Sequence, residues 1–213
     1  MNTIAKVNEA ILAFQNLFNS KRERKNNEKL IASLLTNAKY INFGKVSFEN
    51  LNPDEKYRMY LAYENNLLYG VLLKESEDFY QDKTITNAKY YVSSFNSQAL
   101  KIDPNLTPTL TLPNQISYST LAQRMINWEK DYYTWMVANL DEGFLVDYFE
   151  IDSANFSQIS DNNGVFGLIN TSDVSYEKTT TYSNLLVIDF AVISDTGYMD
   201  VVRPVPPFKP IRF

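Results

Sequence analysis

Five short strand-like runs follow Gly143, and they limit the possible folds more than any other feature of the chain. FLVDYFEI (144–151), GVFGLI (164–169), VSYEKTTTY (174–182), NLLVIDFAVI (184–193) and YMDVVR (198–203) are set apart by turn-forming clusters such as SDNNG, NTSD and SDTG. Runs this short, bounded by Gly, Asn, Asp and Ser, read as strands joined by tight connections. They predict a C-terminal antiparallel β-sheet or small sandwich. NLLVIDFAVI is apolar on both faces, which places it centrally in that sheet.

The other end of the chain has a helical period. Ile4, Val7, Ile11, Phe14 and Phe18 alternate steps of three and four, a single stripe down a helix that Asn2 or Thr3 can cap. Such a stripe serves either the chain's own core or a contact with a neighbouring subunit. SKRERKNNEK then breaks the apolar pattern and reads as a solvated basic turn before a second helix around Leu30, Ile31, Leu34 and Leu35. A third helix follows Ser119 as N-cap. Leu121, Met125, Trp128, Tyr132, Trp135 and Asn139 form its stripe, and Gly143 closes it. Both tryptophans of the chain lie on that stripe.

Residues 52–80 fit two patterns. Asn52-Pro53 suits a helix start, whereas KYRMYLAYENNLLYGVLLK suits two strands folded about Glu64-Asn65-Asn66. Aromatic content, the Asn pair and Gly70 favour the hairpin, with Tyr57, Met59, Leu61 and Tyr63 on one face. AKYYVSSF (88–95) reads as another strand. DPNLTPTLTLPN (103–114) holds three prolines and resembles a linker or crossing arm. The expected fold class is therefore α+β. Residues 1–102 form an N-terminal helical and mixed region, and 103–116 a linker. Residues 117–200 form the long Trp-bearing helix with its sheet, and 201–213 an extended Pro-rich C-terminal arm. One continuous domain with a long surface excursion is the alternative.

Composition removes several chemistries. The chain has no Cys and no His, so within it there is no disulfide, no zinc-thiolate site, no cysteine nucleophile and no Ser-His-Asp triad. Only six glycines are present, which argues against a Gly-rich phosphate cradle. Carboxylates remain. Glu150 and Asp152 share a strand face in VDYFEIDS, with Asp147 on the other, and Asp189 is embedded among apolar neighbours. A buried Asp needs a cationic or hydrogen-bonding partner, and a structural Arg or Lys is the expected one for Asp189. A metal-dependent hydrolase built on these four acids requires at least three of them to converge. A small-ligand or carbohydrate-binding module would instead use a slot lined by Trp128 and Trp135. SDNNGVF has the wrong ligand spacing for a calcium loop and reads as a turn. No catalytic, cofactor or metal residue is assigned, and no cofactor is expected.

Charge is segregated. Residues 1–58 carry a net +4, residues 59–200 a net −12 and the last thirteen a net +3. That last stretch, VVRPVPPFKPIRF, contains four of the eight prolines, three cations and no acid. Proline lowers the ordering entropy of an extended arm, so docking it on a protein surface costs less. The candidate interaction residues are accordingly Arg203, Pro204, Pro206, Pro207, Phe208, Lys209, Pro210, Ile211, Arg212 and Phe213, together with the stripe Ile4, Val7, Ile11, Phe14 and Phe18. The expected role is a non-catalytic structural or adaptor subunit whose terminal arms engage copies of itself or other assembly subunits. This combination of traits resembles a neck, tail or baseplate component of a phage or contractile particle, a likeness of style carried by no residue motif. Neither nucleic acid nor membrane is an expected partner. With no signal-peptide pattern or membrane span, the product is expected to be cytoplasmic on synthesis and then incorporated into a virion or other particle.

Overall fold

The structure is a computed structural model that describes residues 1, 3–45, 55–106, 115–142, 145–157, 159–170, 186–195, 197–200 and 202–205. Within them the chain forms three α-helices and ten strands, a mixed α+β fold. Helix α1 (Ile4–Asn16) is capped by Thr3, whose side chain accepts from the Lys6 amide. Helix α2 (Lys21–Thr36) starts at the basic run itself, contrary to its reading as a turn. Ser20 accepts from the Glu23 amide, so Ser20-x-x-Glu23 supplies the helix start that the charge run concealed. Helix α3 (Tyr118–Glu142) contains both tryptophans, and it is Ser117, not Ser119, whose hydroxyl accepts from the Thr120 amide.

Strands β2 (Lys56–Glu64) and β3 (Leu67–Lys74) form the hairpin, turning through Asn65 and Asn66, both at positive φ. Asn tolerates that left-handed backbone, which matches the right-handed twist of the flanking strands. Tyr57, Met59 and Leu61 share the inner face with Tyr63, while Tyr60 and Ala62 face α1. The remaining strands are β1 (Tyr40–Asn42), β4 (Tyr90–Asn96), β5 (Gln115–Ile116), β6 (Tyr148–Asp152), β7 (Asn163–Asn170), β8 (Leu186–Ser194), β9 (Gly197–Asp200) and β10 (Val202–Val205). All pairings are antiparallel, in the order β10-β6-β2-β3-β4-β1-β7-β8-β9-β5. The apolar run read as central is β8, flanked by β7 and β9. VSYEKTTTY lies outside the described residues.

The sheet must curl, because β9 and β10 stand near opposite ends of that order yet only Val201 separates them. Consecutive Cα atoms are ~3.8 Å apart, so Asp200 and Val202 lie within about 8 Å of each other. The continuous segment thus bridges β8 to β6. Its inner face carries Met59, Phe149, Phe166, Phe190, Val192 and Met199, all buried. Gly164 admits the Phe190 ring, which the Cβ of any other residue would meet. Strands from both sides of the 103–116 segment pair directly, β1 with β7 and β2 with β6. The segment itself starts and ends beside β9. The Tyr198 hydroxyl donates to the Asp103 carbonyl, and β5 pairs with Tyr198 and Met199.

Two expectations change here. The α1 stripe is not available as a seam between subunits, because Val7, Ile11, Phe14 and Phe18 are buried in the chain's own core and Ile4 packs against it. The C-terminal arm does not start at 201 as a non-pairing segment. Val202–Val205 form an antiparallel strand on β6, with Pro204 opposite Phe149. Proline fits there because an end strand of the order has only one ladder to serve. Residues 206–213 lie outside the described residues.

Helix α3 lies where β1 is too short to fill the sheet. β1 reaches β7 only at Asn163 and Gly164, and beyond that point α3 packs on β7. Asn127 Nδ2 donates to the Leu168 carbonyl at 3.2 Å, and Trp128 packs on Phe166 with ring centroids 5.0 Å apart. No helix of the described residues is long and apolar enough to cross a membrane.

Candidate functional site

Two polar clusters are built into this frame, one on each side of the sheet's pairing order. The first grows from Arg58 and Tyr60, two residues apart on β2 and therefore on one face, and from Asp78 after the one-turn 3-10 helix Glu75–Glu77. Arg58 Nη1 donates to Asp78 Oδ2 at 2.9 Å, and the Tyr60 hydroxyl donates to the same oxygen at 2.6 Å. The amides of Tyr80 and Gln81 donate to Asp78 Oδ1 at 3.0 and 3.1 Å. Arg58 Nη2 reaches Glu75 at 2.5 Å, and the guanidinium lies over the Tyr148 ring, 5.0 Å from its centroid. Asp78 is 2% exposed, yet each of its oxygens accepts two hydrogen bonds.

Asp147 borders this cluster. Gln15 Nε2 donates to it at 2.7 Å, and the Tyr80 hydroxyl donates to Gln15 Oε1 at 2.5 Å. Burial, reinforced by the charge of Asp78, pushes the Asp147 carboxyl above its ordinary range. Burial also pushes the Tyr80 phenol up to about 12, with Asp147 adding to the effect.

The second cluster joins α3 to β8 and β9. Arg124 donates from Nη1 to Asp189 and from Nη2 to Asp200, both at 2.8 Å. Asp189 is 1% exposed, and its Oδ1 makes no hydrogen bond of good geometry. Burial first, and then the charge of Asp200, pushes the Asp189 carboxyl up to about 6. The helix approaches so closely here that a Cβ on Gly167 would lie 2.9 Å from that of Arg124. Asp189 thus has the structural Arg that its apolar surroundings require.

The four acids singled out in the sequence do not come together. Asp147 pairs with Gln15, Glu150 with Lys56 at 2.5 Å, and Asp189 with Arg124, while Asp152 stands across from Lys56 in the β2–β6 register. Asp147 precedes β6, so the alternation expected of VDYFEIDS does not govern it. Among the described residues no three acidic side chains gather as a metal site would require. Trp128 and Trp135 line no open slot. Each is 5% exposed, and they pack on one another, on Tyr132 and on Phe166. SDNNGVF is organised by Asn162, whose side chain bonds to Ser157 and Gly44 before β7 begins. Backbone aside, Arg203 and Pro204 are undescribed, as is everything from Pro206 on.

The Arg58–Tyr60–Asp78 network escaped the sequence reading. Its one visible sign is an Arg inside the alternating run KYRMYLAY, on the face opposite Tyr57 and Met59. Both oxygens of Asp78 are doubly occupied and Arg58 Nε is buried without a partner, so the network leaves no carboxylate oxygen free and holds β2 to the chain after β3. Compared with known proteins, the chain matches no family model, no curated protein and no solved structure.

Proposed function

We propose that this chain is a non-catalytic structural or adaptor subunit of a larger protein assembly, of the kind that builds the neck, tail or baseplate of a phage or contractile particle. The supporting observation is β10. The chain's last described strand seats on β6, so the segment Pro206–Phe213 departs from a fixed place on an acidic body. That segment combines three prolines with Phe208, Ile211, Phe213 and two cations. A stiff apolar and basic segment leaving a firm anchor is suited to clasping a neighbouring protein surface. The buried acids Asp78 and Asp189 bind the chain's own arginines, which is a role in holding elements together.

The test compares the full chain with a variant ending at Val205, which keeps β10 in the sheet. Mass photometry and light scattering over a concentration series, with native pull-down alongside, should show self-association or a retained partner for the full chain. The shortened variant should lose it. A full chain that is monomeric throughout and retains no partner overturns the reading.

A further inference from the structure

We propose that the outer face of α2 is an electrostatic docking surface for the acidic body of a second copy of this chain. The inference rests on the assembly reading above and names the contact. Helix α2 carries Lys21, Arg22, Arg24, Lys25 and Lys29 against Glu23 and Glu28. Lys21, Lys25 and Lys29 stand four residues apart, so they form one row along the helix, and all three are exposed, as is the adjacent Arg22. None of these four makes an ion pair with a described residue. Of the two acids on the helix, Glu28 already accepts a hydrogen bond from the Tyr133 hydroxyl at 2.6 Å.

This arrangement works against the helix that displays it. Like charges at i,i+4 repel, and the first turn of a helix favours acids because its free amides already present positive charge. Four cations nevertheless fall within the first five residues of α2. The opposite face explains nothing of this: Ile31, Leu34 and Leu35 anchor the C-terminal half in the core, and Asn27 bonds to the Leu17 carbonyl. Glu23 in the first turn, Glu28 and the Arg24 bond to the Phe18 carbonyl offset this only in part, and a local arrangement that costs helix stability is the mark of a surface kept for a partner.

Charge complementarity identifies that partner. Residues 59–200, which form most of the sheet and α3, carry a net −12. The cationic row of one copy therefore faces an oppositely charged surface on the next. The two surfaces differ, so they pair either reciprocally across a two-fold axis or head-to-tail in rings or filaments. A nucleic acid would also meet the row electrostatically. Glu23 and Asn26 are exposed neighbours of the row, and Tyr133 lies beside it with its hydroxyl held by Glu28, so no run of aromatics offers successive bases a stacking platform.

The test uses the full chain and the variant K21E/K25E/K29E, with K21Q/K25Q/K29Q as a neutral companion. Circular dichroism and thermal melting establish that both variants fold. Self-association is followed by sedimentation velocity from about 0.01 M salt, where charges act over ~30 Å, to about 1 M, where they act over ~3 Å. The wild-type association constant should fall steeply with salt. Charge reversal should lower it at least about tenfold at low salt, with the neutral variant between. Undiminished association of the folded reversal variant overturns this inference and leaves the assembly reading standing. A monomeric wild type that still retains a different protein does the same. A short DNA duplex bound tightly by the wild type and lost on reversal, without self-association, overturns it in favour of nucleic acid. If the wild type neither self-associates nor retains any partner, the assembly reading itself fails.

Discussion

Asp78 and Asp189 are almost equally buried and each is paired with an arginine, yet the sheet treats them differently. Asp78 accepts four hydrogen bonds, two on each oxygen, and two of the donors are backbone amides. Asp189 accepts one from Arg124 at Oδ2, shares that guanidinium with Asp200, and keeps an oxygen without a good partner. In a low-dielectric interior an ion pair alone does not offset the loss of hydration, and the extra donors decide whether the charge is stable. Both oxygens of Asp78 are fully partnered, although Arg58 Nε in the same network is buried without a partner. At Asp189 one oxygen lacks a good partner, and burial together with the charge of Asp200 raises the carboxyl to about 6.

The largest expected effect lies on the satisfied side. Asp78→Ala leaves Arg58 with the exposed Glu75 and the Tyr148 ring and leaves the Tyr60 hydroxyl without its acceptor, so it should destabilise the protein by about 3 kcal/mol or more in urea unfolding at neutral pH. Asp78→Asn, which keeps the shape, should cost less. If Asp78→Ala is nearly neutral, the contrast between the two sites collapses.

Asp189→Asn should behave in the opposite way. The folded-state pKa of Asp189 is raised to about 6, above its unfolded value. Its protonated form therefore favours folding fully below about pH 4, and that contribution is lost as pH rises through about 6. Asp189→Asn keeps an acceptor for Arg124 and removes the titration. The stability of Asp189→Asn relative to wild type should rise between about pH 4 and pH 7 by roughly 2 kcal/mol. Paired urea titrations at several pH values measure it. A flat difference, or a large loss at pH 7, would show that Arg124 holds the charge on Asp189 well.

How far these two sites could be seen in the sequence follows from what each one depends on. Asp189 was visible because LLVIDFAVI offers it no local partner, and its need for a cation follows from elementary solvation. Arg124 lies 65 residues away on α3, and only the packing of α3 over Gly167 brings it there. The Arg58–Asp78 network was invisible because no single residue in it looks isolated. Its contacts depend on the hairpin register and on the turn that follows β3. Local rules served best where they act locally: paired Asn residues in a turn, a period of two in β2, Thr3 as a cap. They failed at Ser20, where the charge run drew attention from the capping residue, and at Pro204, where the position of the strand in the sheet matters more than the residue. The curled closure was also out of reach, since it depends on β9 and β10 pairing with different neighbours.

Asp147 sharpens the comparison from between the two extremes. Its carboxyl is raised by burial and by the charge of Asp78, so the sign of its pH dependence matches that of Asp189. It is only partly buried, however, and Gln15 supplies a direct donor at 2.7 Å. Solvent reaches the group and screens the repulsion, so the expected effect is smaller. Asp147→Asn should change stability at neutral pH by less than about 1 kcal/mol, with any gain over wild type growing as pH rises through the folded-state pKa. The double variant Asp78→Asn/Asp147→Asn separates the causes, since Asp78→Asn removes the neighbouring charge without removing side-chain volume. If the benefit of Asp147→Asn persists unchanged in that background, burial alone raises the carboxyl. If it vanishes, the charge of Asp78 is what its neighbour opposes, and one buried acid sets the titration of the next.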